Sequence, residues 1–149
     1  MIILLLAFCG VFVIDLVSKS LVSSGMELGS TIPVIPGAFD LTYVQNTGAA
    51  WGIMADKQFI LQILTGLLIA GLTFYAVHNR KKLVKLEFLS IGLILGGGLG
   101  NFVSRLFSGY VVDFLNIHII PVFNAADIGI TVGCFLLVYS TIMAAKEEE

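Results

Sequence analysis

Two aspartates in similar apolar surroundings, Asp113 and Asp127, are the residues of this 149-residue chain best suited to do chemistry. Carboxyl groups held within a few ångströms of each other cannot both ionise cheaply, so one stays protonated near neutral pH. The ionised acid can then take a proton from water while its protonated partner polarises a carbonyl. The pair therefore indicates hydrolysis by acid–base chemistry. An alternative remains open, in which Asp113 is a turn residue and Asn124 or Asp127 caps the following helix.

Motifs for other hydrolytic chemistries are absent from the sequence. It has no His-Glu-x-x-His zinc motif and no Gly-x-Ser-x-Gly nucleophile motif. Its two histidines, His78 and His118, fall in different predicted loops, which gives little support to a Ser–His pair. The paired acids remain the only credible catalytic arrangement.

The elements that must position these acids are hydrophobic helices. Charged residues make up 12% of the chain, about half the share in soluble domains, and the mean hydropathy is +1.01. This composition excludes a soluble enzyme, a disordered chain and a secreted disulfide scaffold, and Cys9 and Cys134 lie within apolar blocks as small hydrophobes. Four blocks are long enough to cross a bilayer, and we predict an all-α membrane protein forming a single domain, residues 1–149. The predicted spans are Ile2–Val22, Phe59–Val77, Leu86 to about Leu106, and Ile128–Ala145.

The basic residues predict the orientation of these spans. Arg80, Lys81, Lys82 and Lys85 lie between spans two and three, which places both termini in the cytoplasm and residues 23–57 and 107–127 outside. Because this cluster is explained by topology and the net charge is −2, we expect no nucleic-acid partner.

The outer segment 23–57 carries a strand pattern. Phe39, Leu41 and Tyr43 alternate with polar residues, and Pro33 and Pro36 confine any neighbouring strand to an edge. We predict a small sheet or hairpin at the outer membrane surface, between spans one and two.

Polar residues at membrane depth are costly and need a reason. Asp15 and Lys19 share a helix face, as an internal ion pair or, alternatively, as a proton or substrate site. The glycines of Gly96–Gly100 suit close helix packing, whereas a nucleotide site would need a preceding strand. Asn101 and Arg105 follow on one helix face, so they predict a donor-rich patch inside the bundle.

These motifs together resemble the lipoprotein signal peptidases, the bacterial signal peptidase II family, over essentially the whole chain. Five stretches match in order and at compatible spacing, which makes the signal specific. They are Asp15–Lys19, Asn46–Trp51, Gly97–Asn101 with Arg105, Val111–Phe114 and Phe123–Asp127.

The resemblance implies an aspartic endopeptidase that removes signal peptides from diacylglyceryl-modified prolipoproteins, cleaving just before the lipidated cysteine. Asp113 and Asp127 would be the catalytic pair, and a small β-cradle and flap within 23–57 would cover the site. It implies no metal and no cofactor, and a monomer in the bacterial cytoplasmic membrane with its active site near the outer face. Residues that would bind substrate or support the pair are Asn46, Asn101, Arg105, Asn124, Asp15, Lys19, Gly48 and Trp51.

Two positions depart from the family pattern. Ser104 stands where an acid usually precedes the arginine, which puts the role of Arg105 in doubt and leaves open a weakened family member. Trp51 replaces a more usual phenylalanine. A competing interpretation from another class is a small proton-coupled transporter or ion channel that uses Asp15. The transporter interpretation is disfavoured because the polar residues are concentrated at one outer corner and do not continue through the membrane.

Overall fold

The computed structural model describes residues 1–48 and 58–147, with the side chains of Gln58 and Glu147 left out. Within these residues, four helices are long and apolar enough to cross a membrane. This confirms the predicted architecture. The helices are α1 (Ile2–Gly25), α2 (Gln58–His78), α3 (Lys85–Ser108) and α4 (Ala125–Glu147).

Helix α3 is the centre of the bundle. In its most hydrophobic stretch 61% of the residues are buried, against 6–17% in the other helices, whose apolar sides remain free to face lipid. One reason is the glycine run of α3, which lets other helices approach its backbone. A side chain at Gly96 would meet the backbone of Phe8 in α1, and one at Gly97 would meet the carbonyl oxygen of Ala126 in α4. Helix packing is therefore the role of these glycines.

A three-stranded antiparallel sheet stands at one end of the bundle, in the order β1 (Thr31–Ile35), β2 (Phe39–Asn46) and β3 (Val111–Asn116). The first two strands form the predicted hairpin after α1. Pro33 lies in β1 at the sheet edge, as expected, because proline cannot donate a ladder hydrogen bond. The register shifts between Leu41 and Val44, so Asp40 and Tyr43 are both buried and the expected period of two is interrupted.

Strand β3 was not predicted from the sequence. It comes from the connection between α3 and α4 and pairs with β2, with Val44 opposite Asp113. The interpretation of Asp113 as a turn residue at a helix end is therefore wrong. In isolation, the six residues of β3 would be predicted as a loop. They form a strand because they pair with β2. The sheet also joins the connections α1–α2 and α3–α4 at the same end of the bundle.

A small apolar cluster fixes the sheet to the bundle. Val22 near the end of α1 packs with Tyr43 of β2 and with Val112 and Phe114 of β3. The first four residues of β3, Val111 to Phe114, are all buried, so β3 is enclosed along the stretch that carries Asp113. This packing fixes the height of Asp113 relative to the helices.

We expect Gly97→Ala to destabilise the protein and Gly98→Ala, its matched control, to leave stability unchanged or slightly increased. A methyl group at position 97 overlaps the carbonyl oxygen of Ala126, whereas one at position 98 meets the side chain of Ile69 at an ordinary 3.6 Å. Overpacking of this kind costs about 1–3 kcal/mol. Thermal unfolding in detergent measures both, and equal midpoints for the two variants would contradict the packing described here.

Candidate active site

The two aspartates lie on different kinds of element at the sheet end of the bundle. Asp113 is in the middle of β3, and Asp127 is the third residue of α4. Helix α4 begins three residues earlier than the predicted Ile128, so Asp127 belongs to its first turn. Asn101 and Arg105 face the same region from α3, and Asn46 reaches it from the end of β2.

Asn124 joins the two aspartates. Its side-chain Nδ2 donates to Asp113 Oδ1 at 2.6 Å, and its backbone N–H donates to Asp127 Oδ2 at 3.1 Å. Its Oδ1 accepts from the backbone N–H of Asp127 at 3.0 Å, which completes a reciprocal capping box at the start of α4. Asn124 is therefore the helix cap that the sequence offered as an alternative. The same side chain also holds Asp113, so the two interpretations are compatible.

Asp113 is enclosed, with only 3% of its surface exposed. Besides the bond from Asn124, its Oδ2 accepts from Asn46 Nδ2 at 2.8 Å. Burial raises the pKa of Asp113 from 3.8 to about 6, and the charge of nearby Asp127 adds to this. The hydrogen bonds from Asn46 and Asn124 oppose the rise. Because the effect of burial exceeds that of the hydrogen bonds, the carboxyl group of Asp113 can hold a proton close to neutral pH.

Asp127 has a more open position. Its Oδ1 accepts from Asn101 Nδ2 at 2.8 Å and its Oδ2 accepts from the backbone of Asn124, while the residue as a whole is half-buried. Asn101 thus holds Asp127 as Asn46 holds Asp113, and the side-chain Oδ1 of Asn101 accepts from Asn124 Nδ2 at 3.2 Å. Two carboxyl groups in unequal surroundings are joined by a short amide network.

The predicted ion pair of Asp15 and Lys19 supports this network from α1. Lys19 Nζ lies 2.6 Å from Asp15 Oδ2 and also donates to Asn101 Oδ1 at 2.8 Å, and both charged residues are buried. Asp15 Oδ1 accepts from the backbone N–H of Ala126 at 3.0 Å. The pair therefore orients Asn101 and fixes the first turn of α4. Asp15 is bound on both oxygens, which does not favour its use as a proton carrier.

Ser104 and Arg105 point to different neighbours. Ser104 Oγ donates to Gly100 O at 2.9 Å and accepts from Lys19 at 3.3 Å, so an acid at this position would face Lys19. Ser104 therefore contacts Lys19 and its own helix, and its side chain makes no hydrogen bond to Arg105. Sequence reasoning missed the link between Ser104 and Lys19, although their places near the outer ends of spans one and three were a signal.

Arg105 lies close enough to both aspartates to be influenced by their charges, and its Nη2 donates to Gly48 O at 3.4 Å. Its Nε is buried and has no hydrogen-bond partner among the residues that the structure describes. Gly48 also donates its N–H to Asn46 Oδ1 at 3.0 Å, which links Arg105 to the residue that holds Asp113. Trp51 and the expected flap around it fall outside the described residues.

Metal ligation is not suggested by this geometry. Over residues 1–48 and 58–147 no three His, Cys, Asp or Glu side chains are grouped so that they could hold an ion. The site consists of two carboxyl groups, three asparagine amides, and the cations of Lys19 and Arg105.

We expect Lys19→Met to destabilise the protein by about 3–5 kcal/mol, because it leaves a buried carboxylate without its partner. The double variant Asp15→Asn/Lys19→Met should recover part of this loss, since it removes the unpaired charge. Thermal unfolding in detergent measures the series. A double variant less stable than Lys19→Met would contradict the pairing as the cause.

We also expect the stability of the wild type to depend on pH through Asp113. Because the pKa of Asp113 is raised to about 6 in the folded state, its contribution is fully present below about pH 3.8 and is lost as the pH rises through about 6. The change amounts to about 3 kcal/mol. Thermal unfolding from about pH 4 to 7 should show this decline in the wild type and a smaller one in Asp113→Asn. Parallel profiles would contradict it.

Comparisons with known proteins show the family of the chain. The family described as Signal peptidase (SPase) II matches residues 7–143. A solved structure described as a bacterial membrane enzyme, determined by the in meso method at 2.3 Å resolution, is similar with a TM-score of 0.90 and 30% identity, over 98% of this chain and 91% of that chain. A second, described in the same words at 1.9 Å resolution, gives a TM-score of 0.83 and 30% identity, over 93% of this chain and 91% of that one. The family match spans both aspartates and every asparagine of the network, and the chain therefore belongs to the signal peptidase II family, the multi-pass membrane proteases of bacteria that process lipoproteins.

Proposed function

We propose that the chain is an aspartic endopeptidase that removes signal peptides from diacylglyceryl-modified prolipoproteins and cleaves before the lipidated cysteine. The observation that carries this proposal is the shared bonding of Asp113 and Asp127 to Asn124. The charge of nearby Asp127 helps to raise the pKa of Asp113, and two carboxyl groups held together in this way can activate water by acid–base chemistry.

The two aspartates take different roles in acid–base catalysis because their surroundings differ. Asp113, whose pKa is about 6, holds the proton and donates it to the scissile carbonyl oxygen. Asp127, which is more accessible, takes a proton from the attacking water as the water oxygen bonds to the carbonyl carbon. As the C–N bond of the tetrahedral intermediate breaks, Asp127 gives the proton that it took from water to the departing amine of the lipidated cysteine. Asp113 recovers its proton from a hydroxyl group of the intermediate, which becomes the new carboxyl group. The products are a signal peptide with a free carboxylate and a lipoprotein with a free amino terminus.

The remaining polar groups hold the substrate backbone and the pair. Asn46 and Asn124 orient Asp113, and Asn101 orients Asp127, by hydrogen bonds that add no net charge to an apolar site. The buried Nε of Arg105, which has no hydrogen-bond partner among the described residues, would donate to a peptide carbonyl of the substrate. Donors fixed in advance in such a site act more strongly than in water. Gly48, and Trp51 beyond the described residues, belong to the segment that we assign to contacts with substrate.

The site lies near the outer face of the bacterial cytoplasmic membrane, with both chain termini in the cytoplasm. The ends of α1 and α3 and the starts of α2 and α4 flank the sheet, so the basic residues Arg80, Lys81 and Lys82 fall at the opposite end of the bundle. Basic connections stay in the cytoplasm. The substrate, anchored by its acyl chains, meets the site from the outer leaflet. We assign a monomer acting as one domain, with membrane lipid around the exposed sides of α1, α2 and α4.

We expect Asp113→Asn and Asp127→Asn each to lower cleavage by at least about a hundredfold, the usual contribution of a general acid or base. A gel-shift assay with a diacylglyceryl-modified prolipoprotein in detergent measures the product. Asp40→Asn is the matched control, because Asp40 lies in β2 and pairs with His118 at 3.1 Å, away from the asparagine network. Near-normal processing by either of the first two variants would exclude the mechanism.

A further inference from the structure

An apolar hollow opens on the exposed side of α4, directly beside Asp127. Its cavity volume is about 270 Å³, and it lies between α4 and the connection that precedes α4. Four of its side chains are apolar, and three of these, Ile120, Ile128 and Val132, are more than 40% exposed. Ile128 and Val132 lie in the membrane-spanning helix α4, where exposed apolar side chains face hydrocarbon. The full lining is Ile120, Phe123, Asp127, Ile128, Thr131 and Val132.

Thr131 is the unexpected member of this lining. A threonine within a helix commonly donates to the carbonyl oxygen four residues earlier, as Thr141 does to Leu137 at 3.0 Å. The hydroxyl of Thr131 makes no hydrogen bond to any residue that the structure describes. An unsatisfied hydroxyl in an apolar setting is costly. Thr131 therefore offers a donor to an acceptor that enters the hollow from outside the protein.

We propose that this hollow, the acyl-ester pocket, binds one ester-linked acyl chain of the substrate. The hydroxyl of Thr131 donates to the ester carbonyl oxygen, and the apolar side chains contact the first methylene groups of the chain. The inference rests on the proposed function and adds to it a residue that recognises the lipid part of the substrate.

The spacing along α4 fits this occupant. Thr131 follows Asp127 by four residues, so the two side chains lie on one face of the helix about 6 Å apart along its axis. In a diacylglyceryl cysteine only a short thioether-linked glycerol separates the scissile amide from an ester carbonyl. With the amide at Asp127, an ester group reaches Thr131, and the chain continues along α4 towards the middle of the membrane.

A second hollow on α4 lacks these features. It shares Ile128 and Val132 with the acyl-ester pocket, but lies between α4 and α1 and is lined only by apolar residues, among them Val11 and Ile14. Nothing in its lining distinguishes an ester from any other part of a lipid. Its residues therefore serve as controls.

Paired substrates test the hydrogen bond. One carries ester-linked acyl chains, and the other carries ether-linked alkyl chains, which lack the carbonyl. We expect the wild type to prefer the ester substrate by about two- to tenfold in kcat/KM, the effect of one hydrogen bond. Thr131→Val should abolish the preference, Thr131→Ser should retain it, and Thr141→Val on the same helix should leave it unchanged.

A filling substitution tests the pocket itself. Thr131→Phe should shift the preferred substrate towards shorter acyl chains, whereas Ile14→Phe in the second hollow should leave the chain-length profile as in the wild type. Thermal unfolding checks that each variant folds, and both positions are at the protein surface.

The outcomes separate this inference from the proposed function. If the wild type cleaves neither substrate, the proposed function fails and the pocket loses its basis. If the wild type cleaves both substrates equally, or if Thr131→Val keeps the ester preference, the acyl-ester pocket is overturned while the peptidase activity stands.

Discussion

The hydrogen bonds of Asn124 are the interactions on which the functional end of this molecule depends. A primary amide has an acceptor and a donor at opposite ends, and Asn124 uses the acceptor to cap α4 and the donor to hold Asp113. Serine or aspartate would cap a helix equally well. Neither would provide an amide donor towards β3, because an ionised aspartate only accepts and a serine hydroxyl is too short for both tasks. The cap and the carboxyl pair are thus built on the same side chain.

Around this residue, buried charge is balanced by a second set of contacts. Lys19 neutralises Asp15 and simultaneously fixes the amide of Asn101, which in turn holds Asp127. Gly100 allows Asp15 to come this close, because a side chain there would overlap the carboxylate. Charges removed from water are tolerated only when paired and fully hydrogen-bonded. The outcome is a rigid connection from α1 through α3 to the first turn of α4.

The two carboxyl groups differ in what surrounds them, and this difference leaves the site more open on the side of Asp127. Asp113 is enclosed by β3 and its neighbours, whereas Asp127 borders an apolar hollow on the exposed side of α4. Enclosure also raises the pKa of Asp113, so the same packing that hides this acid prepares it to hold a proton.

The sequence by itself determined the helices and the ion pair, and it was enough to propose Asp113 and Asp127 as the reacting pair. Long apolar blocks must form helices in lipid, the four-residue spacing of Asp15 and Lys19 places them on one face, and the glycines of α3 predict close packing. Only the tertiary structure decided that Asp113 lies on a strand, that Ser104 faces Lys19, and that Asn124 serves both the helix and the acid. The physical reason is that these features depend on partners distant in the chain. Strand β3 forms because it pairs with β2. The side-chain amides of Asn46, Asn101 and Asn124 find their hydrogen-bond partners only when α1, α3, α4 and the sheet are packed together.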